Sequence, residues 1–285
     1  MKAKGYLYVF GMGMQKAMAY RADFFLGLVS CLFPIVMQVF LWNALYAAGA
    51  AEANGYTYEQ MMLYTLLAGV TARIVATGFE NEVAADIKTG GLNRYLVKPM
   101  DHGRYTLAQF LGGKAAGIAL LLAVTAAVLA GAAAVFGLAF APLRLAVYAL
   151  SLVLALALNF SIFYTIALLA FWLTEIDQLF GTISIVIMVM SGGVFPLDIF
   201  GPAAAALSAV LPFGYTTQFC VNIVSGRLGV FVLPVFVITN FPTLFAAGKL
   251  PPALTAWGLA VPVLAFGVQR LVWRRALRRY TSAGG

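Results

Sequence analysis

Apolar residues run along this chain in long blocks. They give way to charge at one internal stretch, 80–104, and again near the end, where Arg270, Arg274, Arg275, Arg278 and Arg279 cluster. A helix needs about 20 apolar residues to cross a hydrocarbon core of about 30 Å. On that measure the pattern predicts spans at roughly 24–46, 60–79, 114–136 and 145–173, a fifth beginning near 179, and a last one at 253–272. Pro34 falls inside the first, where neighbouring helices can satisfy the carbonyl it frees. Ahead of the spans, Leu7, Phe10, Met14 and Met18 recur at steps of three and four, with Lys4, Gln15 and Lys16 off the stripe. That spacing predicts an entry helix within 1–22 lying in the membrane interface, the alternative being a short buried lead-in.

Between 191 and 250 the apolar segments are cut by Gly192-Gly193, Pro196, Pro202, Pro212, Pro234, Pro242 and Pro251-Pro252. Such punctuation predicts short re-entrant or interfacial helices on the outer side. The stretch 230–247 is long enough to cross, but one extra crossing would put the C-terminal arginines on the opposite side from the other basic residues. Crossing and re-entry both stay open there.

With 63% hydrophobic and 10% charged residues, the chain exceeds the apolar content of soluble domains. It reads as an all-α polytopic membrane protein with about six transmembrane helices, one domain over 1–285, and no room for a nucleotide-hydrolysing domain. Sidedness follows from the basic residues: Lys2, Lys4, Lys16, Arg21, Lys88, Arg94, Lys98, Arg104, Lys114 and the five C-terminal arginines fall on one side, against Arg144, Arg227 and Lys249 on the other. The first set is expected in the cytoplasm, with both termini and an even number of crossings. The net charge of +8 does not point to nucleic acid, because the basic residues flank apolar spans instead of interleaving with aromatics. No small-residue cleavage site follows the first apolar run closely, so the N-terminus is expected to be retained. Cys31 and Cys220 make no disulfide or metal pattern and read as packing residues.

Catalytic instruments are missing from the pattern. No G-x-x-x-x-G-K-[ST] loop occurs, since Gly248-Lys249 is followed by Leu250, and no metal-ligating cluster is expected. The single histidine, His102 beside Asp101, reads as a solvated loop residue. Arg73 falls within the second span at an insertion cost of about 2.5–3.5 kcal/mol, so something must offset it. Two readings stay open: a cation lining a path or paired inside the bundle, with Glu80 on the same face seven residues on, and a structural bridge at a helix end. Gln38, Asn43, Asn159, Ser161, Thr165 and Ser184 are the sparse polar candidates for a lining, although packing inside helices explains them equally well. Gly113-x-x-x-Gly117 opens the third span and is a weak signal for close helix packing.

The segment 80–104 carries the most chemistry. Glu80, Glu82 and Asp86 precede Gly90-Gly91, which should stop one short helix, and Pro99 should stop a second. Charges together with apolar Ile87, Leu92, Tyr95 and Leu96 read as a docking surface, the alternative being a loop lying on the bilayer.

At this point the chain resembles the membrane subunit of ATP-binding-cassette transporters of the type-2, exporter-like permease family. The likeness rests on an entry helix, six spans, a loop of the form E…G-x-L-x-x-x-L-x-x-P after the second span (here Glu82, Gly90 or Gly91, Leu92, Leu96 and Pro99), and an outer motif Ser191-Gly192-Gly193-Val194-Phe195-Pro196 with Leu211-Pro212-Phe213. The closing Leu277-Arg278-Arg279-Tyr280 and the apolar stretch from Val232 to Pro242 resemble one bacterial subgroup. The resemblance implies a separate ATPase, expected in two copies, that binds ATP and Mg and docks at the loop after span two and near the entry helix. It also implies a translocation path between two permeases, identical or paralogous, in the cytoplasmic membrane, and no cofactor in this chain. Import-type permeases carry a docking loop that reads Glu-Ala-Ala followed by Gly; Glu82-Val83-Ala84-Ala85 and Gly90 resemble it with the spacing off by about a residue, and importers place that loop between later spans. A self-sufficient carrier would need inverted repeats and ionisable residues at the midplane, and neither is evident.

Overall fold

The computed structural model describes residues 2–19, 21–49, 55–96, 101–173, 175–201, 203–204, 207–208, 211–227 and 253–279. Pro99, the stretch 230–247 and the closing residues lie outside them, as do the side chains of Cys31 and Leu96. Among the described residues the secondary structure is helical, with no strand.

The entry helix α1 (Lys2–Ala19) leads to α2 (Arg21–Ala47), which keeps Pro34 inside it as expected. Next comes α3 (Tyr58–Val75), whose start is set by a capping box. Gln60 N–H donates to Thr57 Oγ1, and Thr57 N–H donates to Gln60 Oε1. Buried residues occur on every side of α3, which makes it the central helix. The short helices α4 (Glu80–Lys88) and α5 (Asn93–Leu96) follow.

Helix α6 (His102–Phe136) starts twelve residues before the span expected from Lys114, because Asp101 caps it through a 3.0 Å bond from Arg104 N–H. It ends at Gly137, which takes φ +66°. Helix α7 (Pro142–Ala167) has proline in its first turn and tightens into the 3-10 turn Leu168–Phe171. Then come α8 (Asp177–Met190), the 3-10 turns Leu197–Phe200 and Pro212–Tyr215, α9 (Gln218–Val224) and α10 (Ala253–Arg279).

Three helical stretches, Tyr58–Lys88, His102–Phe136 and Pro142–Phe171, are long and apolar enough to cross a membrane, and Leu32–Ala47 and Gln178–Met190 are shorter apolar ones. The core has two layers along the bundle. Toward one end, α3, α7 and Leu121 and Ala132 of α6 share a core with α9, whose seven residues are all buried. Toward the other end, Phe79, Val83, Ile87 and Leu92 pack on Phe160, Phe163, Tyr164 and Leu168. The outward faces of α2 and α8 stay apolar and exposed, with Phe33, Met37 and Phe40 on one and Ile185, Val186 and Val189 on the other. Continuous apolar faces of this kind fit lipid or a second subunit.

Candidate coupling segment and helix-end cluster

The α4–α5 segment is built from a strict helical period. Glu80, Val83, Ala84 and Ile87 face inward, whereas Asn81, Glu82, Ala85 and Lys88 face out. Gly90 turns the chain with φ +77°, which favours glycine, and a side chain at Gly91 would crowd Asp86, 2.7 Å from its carboxylate and 3.2 Å from its Cα. The Arg94 guanidinium closes it with 2.6 Å contacts to both Asp86 oxygens. Burial, and then the Asp86 carboxylate, push the Tyr95 phenol up to about 12, keeping it neutral beside that pair.

This geometry corrects one expectation. Ile87 and Leu92 offer no apolar surface to a partner: Leu92 is fully buried, and both pack against α7 and the 3-10 turn after it. The apolar residues anchor the segment to its own bundle, and its outer face is polar. A single period tells which face is apolar but not what covers that face.

Helix α1 lies along α6 at backbone contact. A side chain at Gly112 would run into Phe10 O, and one at Gly13 into Gln109 O, so these two glycines set the crossing. Gly113, read in the sequence as a weak signal for close packing, lies at the same approach, with its backbone N 3.0 Å from where a side chain at Gly13 would sit, although a side chain at Gly113 itself would make only ordinary contact, 3.8 Å from Gly13 O. Of the expected stripe, Leu7, Met14 and Met18 are exposed, whereas Phe10 is half-buried with its backbone against Gly112; Val9 is buried. Two polar ties complete the join: Lys16 Nζ reaches Glu82 Oε1 of α4 at 2.5 Å, and Asp101 N–H donates to Tyr6 Oη at 3.4 Å. Between α1, the α4–α5 segment and the start of α6 lies an open cleft of about 860 Å³, with Lys16, Glu82, Asp86, Arg94, Gln109 and Lys114 on its walls.

At the head of this cleft α3 stops, leaving carbonyls with no helical partner. Lys114 Nζ donates to Arg73 O at 3.3 Å, to Ile74 O at 2.6 Å and to Ala76 O. Asn159 Nδ2 donates to Val75 O at 2.7 Å. Four successive carbonyls are therefore held by side chains from α6 and α7. In sequence Lys114 is one more basic residue at the start of the third span, and the signal for more is its place inside an alanine-rich and glycine-rich run.

Arg73 sits half-buried in the last turn of α3, where a cation complements the helix dipole. Glu80 is buried, and its Oε2 has no hydrogen-bond partner. Among the described residues the two form no ion pair, so the pairing considered for them is not made; Lys114 is within electrostatic reach of both.

His102 departs furthest from expectation. It is 4% exposed, not solvated, with Nδ1 2.8 Å from Tyr164 Oη and its ring stacked on Trp273 of α10, centroids 5.3 Å apart and planes 6° apart. Tyr95 meets it edge-on at 4.8 Å.

The outer motif forms the opposite end of the bundle. Gly192 takes φ +72° with Gln218 and Tyr64 Oη where a side chain would sit, and Tyr64 Oη donates to Gly192 O at 2.6 Å. Gln218 N–H donates to Ser191 O, and its side-chain amide donates to Asp198 Oδ1 at 2.8 Å. Tyr56 Oη donates to Asp198 Oδ2, and the Arg227 guanidinium lies 3.6 Å from the centre of the Tyr56 ring. Gly193 packs near Ser191 and Met188, Phe195 meets Trp42 edge-on at 5.9 Å, and Pro196 and Pro212 each precede or open a 3-10 turn. Arg144 lies here with its guanidinium beside Gly226, the residue before Arg227, at the opposite end from Lys16 and Arg94.

The candidate lining residues are not gathered in one place. Gln38 is buried on α2 with Oε1 unpartnered, Asn43 is exposed and accepts from Tyr58 Oη at 2.6 Å, and Asn159 holds the end of α3. Thr165 bonds back to Ser161 O on α7, and Ser184 is half-buried on α8. None of them, nor Arg73, lines the cleft.

A family model described as ABC-2 family transporter protein matches residues 32–231 and 228–284, nearly the whole chain. The chain belongs to the ABC-2 transporter family. It is an ABC-2 type permease, the membrane subunit of a transporter, and membership of that family implies association with an ABC ATPase. No curated protein and no solved structure matches it.

Proposed function

We propose that this ABC-2 permease exports an amphipathic or hydrophobic substrate, lipid-like or drug-like, across the cytoplasmic membrane of a bacterium, driven by a separate ATPase that docks on the α4–α5 segment. The observation that carries this is the build of the segment: anchored inward by Val83, Ile87 and Leu92, it holds a polar outer face of Asn81, Glu82, Lys88 and Arg94 at fixed register. A rigid element whose charged rim sets orientation suits a partner that must push on it. The chain has no phosphate-binding loop of its own, so ATP and Mg belong to the partner, taken as two copies serving two permeases, identical or paralogous. Outward movement of apolar cargo fits the apolar outward faces of α2 and α8, where a path between two subunits would form. Both termini then lie in the cytoplasm with Lys16, Arg94 and the C-terminal arginines.

The test is co-purification with a candidate ABC ATPase, sought first in the reading frames adjacent to this one. Reversing Glu82, Lys88 and Arg94 together should release the ATPase while the permease still inserts. A triple variant that keeps its ATPase would remove the segment as docking site. Transport into inside-out vesicles over a panel of lipids and amphipathic drugs, with an ATPase-dead partner as control, tests direction and cargo.

A further inference from the structure

We propose that His102 is the joint through which movement of the α4–α5 segment reaches α10. The inference rests on the reading that the ATPase docks on that segment, and it names what lies behind the docking face. Three elements converge on one imidazole: Tyr95 from α5, Tyr164 from α7 and Trp273 from α10, all around a ring that opens the first turn of α6. Each contact restrains a different motion. The stack on Trp273, with planes 6° apart, lets the two rings slide but not separate without opening a void. The 2.8 Å bond between Nδ1 and Tyr164 Oη fixes rotation of the imidazole about its own axis. The edge of Tyr95, 4.8 Å away, transmits any displacement of α5 to the ring.

A close-packed interior passes such a displacement on, because it has few voids in which to absorb it. On its far side Trp273 is met edge-on by Phe171 at 6.4 Å and lies 6.3 Å from Tyr164, so α10 is gripped at its arginine-rich end. A histidine serves here because one flat ring supplies both a stacking face and an edge polar atom.

The joint acts by position and touches no substrate, so its loss must show in coupling, not in docking. The readout is transport per ATP hydrolysed by the full permease and its ATPase in proteoliposomes, measured beside co-purification. Tyr164→Phe removes one hydroxyl, and Trp273→Leu removes the stack. Each should keep the ATPase bound and lower transport per ATP by at least about fivefold, the low end for energetic coupling between sites. Trp273→Phe, which keeps a flat ring, should recover part of it. An unchanged ratio in Tyr164→Phe and Trp273→Leu overturns the joint, and so does loss of the ATPase in Tyr164→Phe, which would make the cluster part of the docking fold. Charge reversal on the outer face judges docking separately: an ATPase that stays bound there sinks the docking reading. If it is released there while the ring variants keep full coupling, only the joint falls.

Discussion

Lys114 is the residue whose removal should reveal most about the end of α3. One ammonium holds three carbonyls there, and hydrogen bonds to a charged group contribute about 1.5–3 kcal/mol each when their partners are buried. Replacing it with Met leaves those carbonyls unpaired, so a loss of about 3 kcal/mol is expected, read as a fall in the detergent unfolding midpoint. Arginine, longer and planar, should restore only part of it. A midpoint unchanged by Lys114→Met would mean that water takes over the carbonyls. Glycine contacts give a sharper comparison. Gly112→Leu drives a side chain into the Phe10 backbone and should cost about 1–3 kcal/mol by overpacking, whereas Gly113→Ala meets ordinary contact and should be nearly neutral. Equal effects at the two positions would contradict the crossing described here. The difference between the two glycines is not legible in sequence, because glycine spacing along one helix does not say which glycine faces a partner.

At the scale of elements, the α4–α5 segment was the most legible part of the chain. Its two helices, the Gly90-Gly91 turn and the apolar face follow from period and punctuation alone, and the structure has them where expected. The direction of that face was not legible, since burial against α7 and burial against a partner leave the same pattern. The difference is testable. Leu92→Asp buries an unpaired charge and should destabilise the permease itself by about 4 kcal/mol or more, lowering its yield even without ATPase. A stable, well-inserted Leu92→Asp permease that has merely lost its ATPase would show that the leucine faces the partner after all. Lys16 and Glu82 behave differently, with both side chains more than half exposed, 51% and 58%. Such a pair contributes at most about 1 kcal/mol, so its use lies in holding α1 in register with α4. Helix α6 was misjudged at its start for a related reason: hydropathy finds the apolar part of a helix, and the polar first turns before Lys114 are helical by capping, not by lipid.

The whole molecule separates its charges by end. Lys16 and Arg94 lie at the cleft and the α4–α5 segment, which Trp273 at the arginine-rich end of α10 reaches through His102, while at the other end Arg144 lies beside Gly226 and Arg227 over Tyr56. Helices α3, α6 and α7 run alternately between these ends, so a membrane must lie across them with one end on each side. A basic end held in the cytoplasm is the arrangement that the distribution of lysine and arginine favours during insertion. The two ends should therefore label oppositely. A cysteine placed at exposed Lys88 or Arg278 should be silent to an impermeant thiol reagent in intact cells and react once the membrane is opened. One at Arg227, beside the Tyr56 network, should react from outside. Labelling of the Arg278 position in intact cells would invert the molecule, and labelling there and at Lys88 from opposite sides would require an odd number of crossings between them. That second outcome would make 230–247 decisive, since its passage through the membrane is what sets α10 and α4 on the same side or apart.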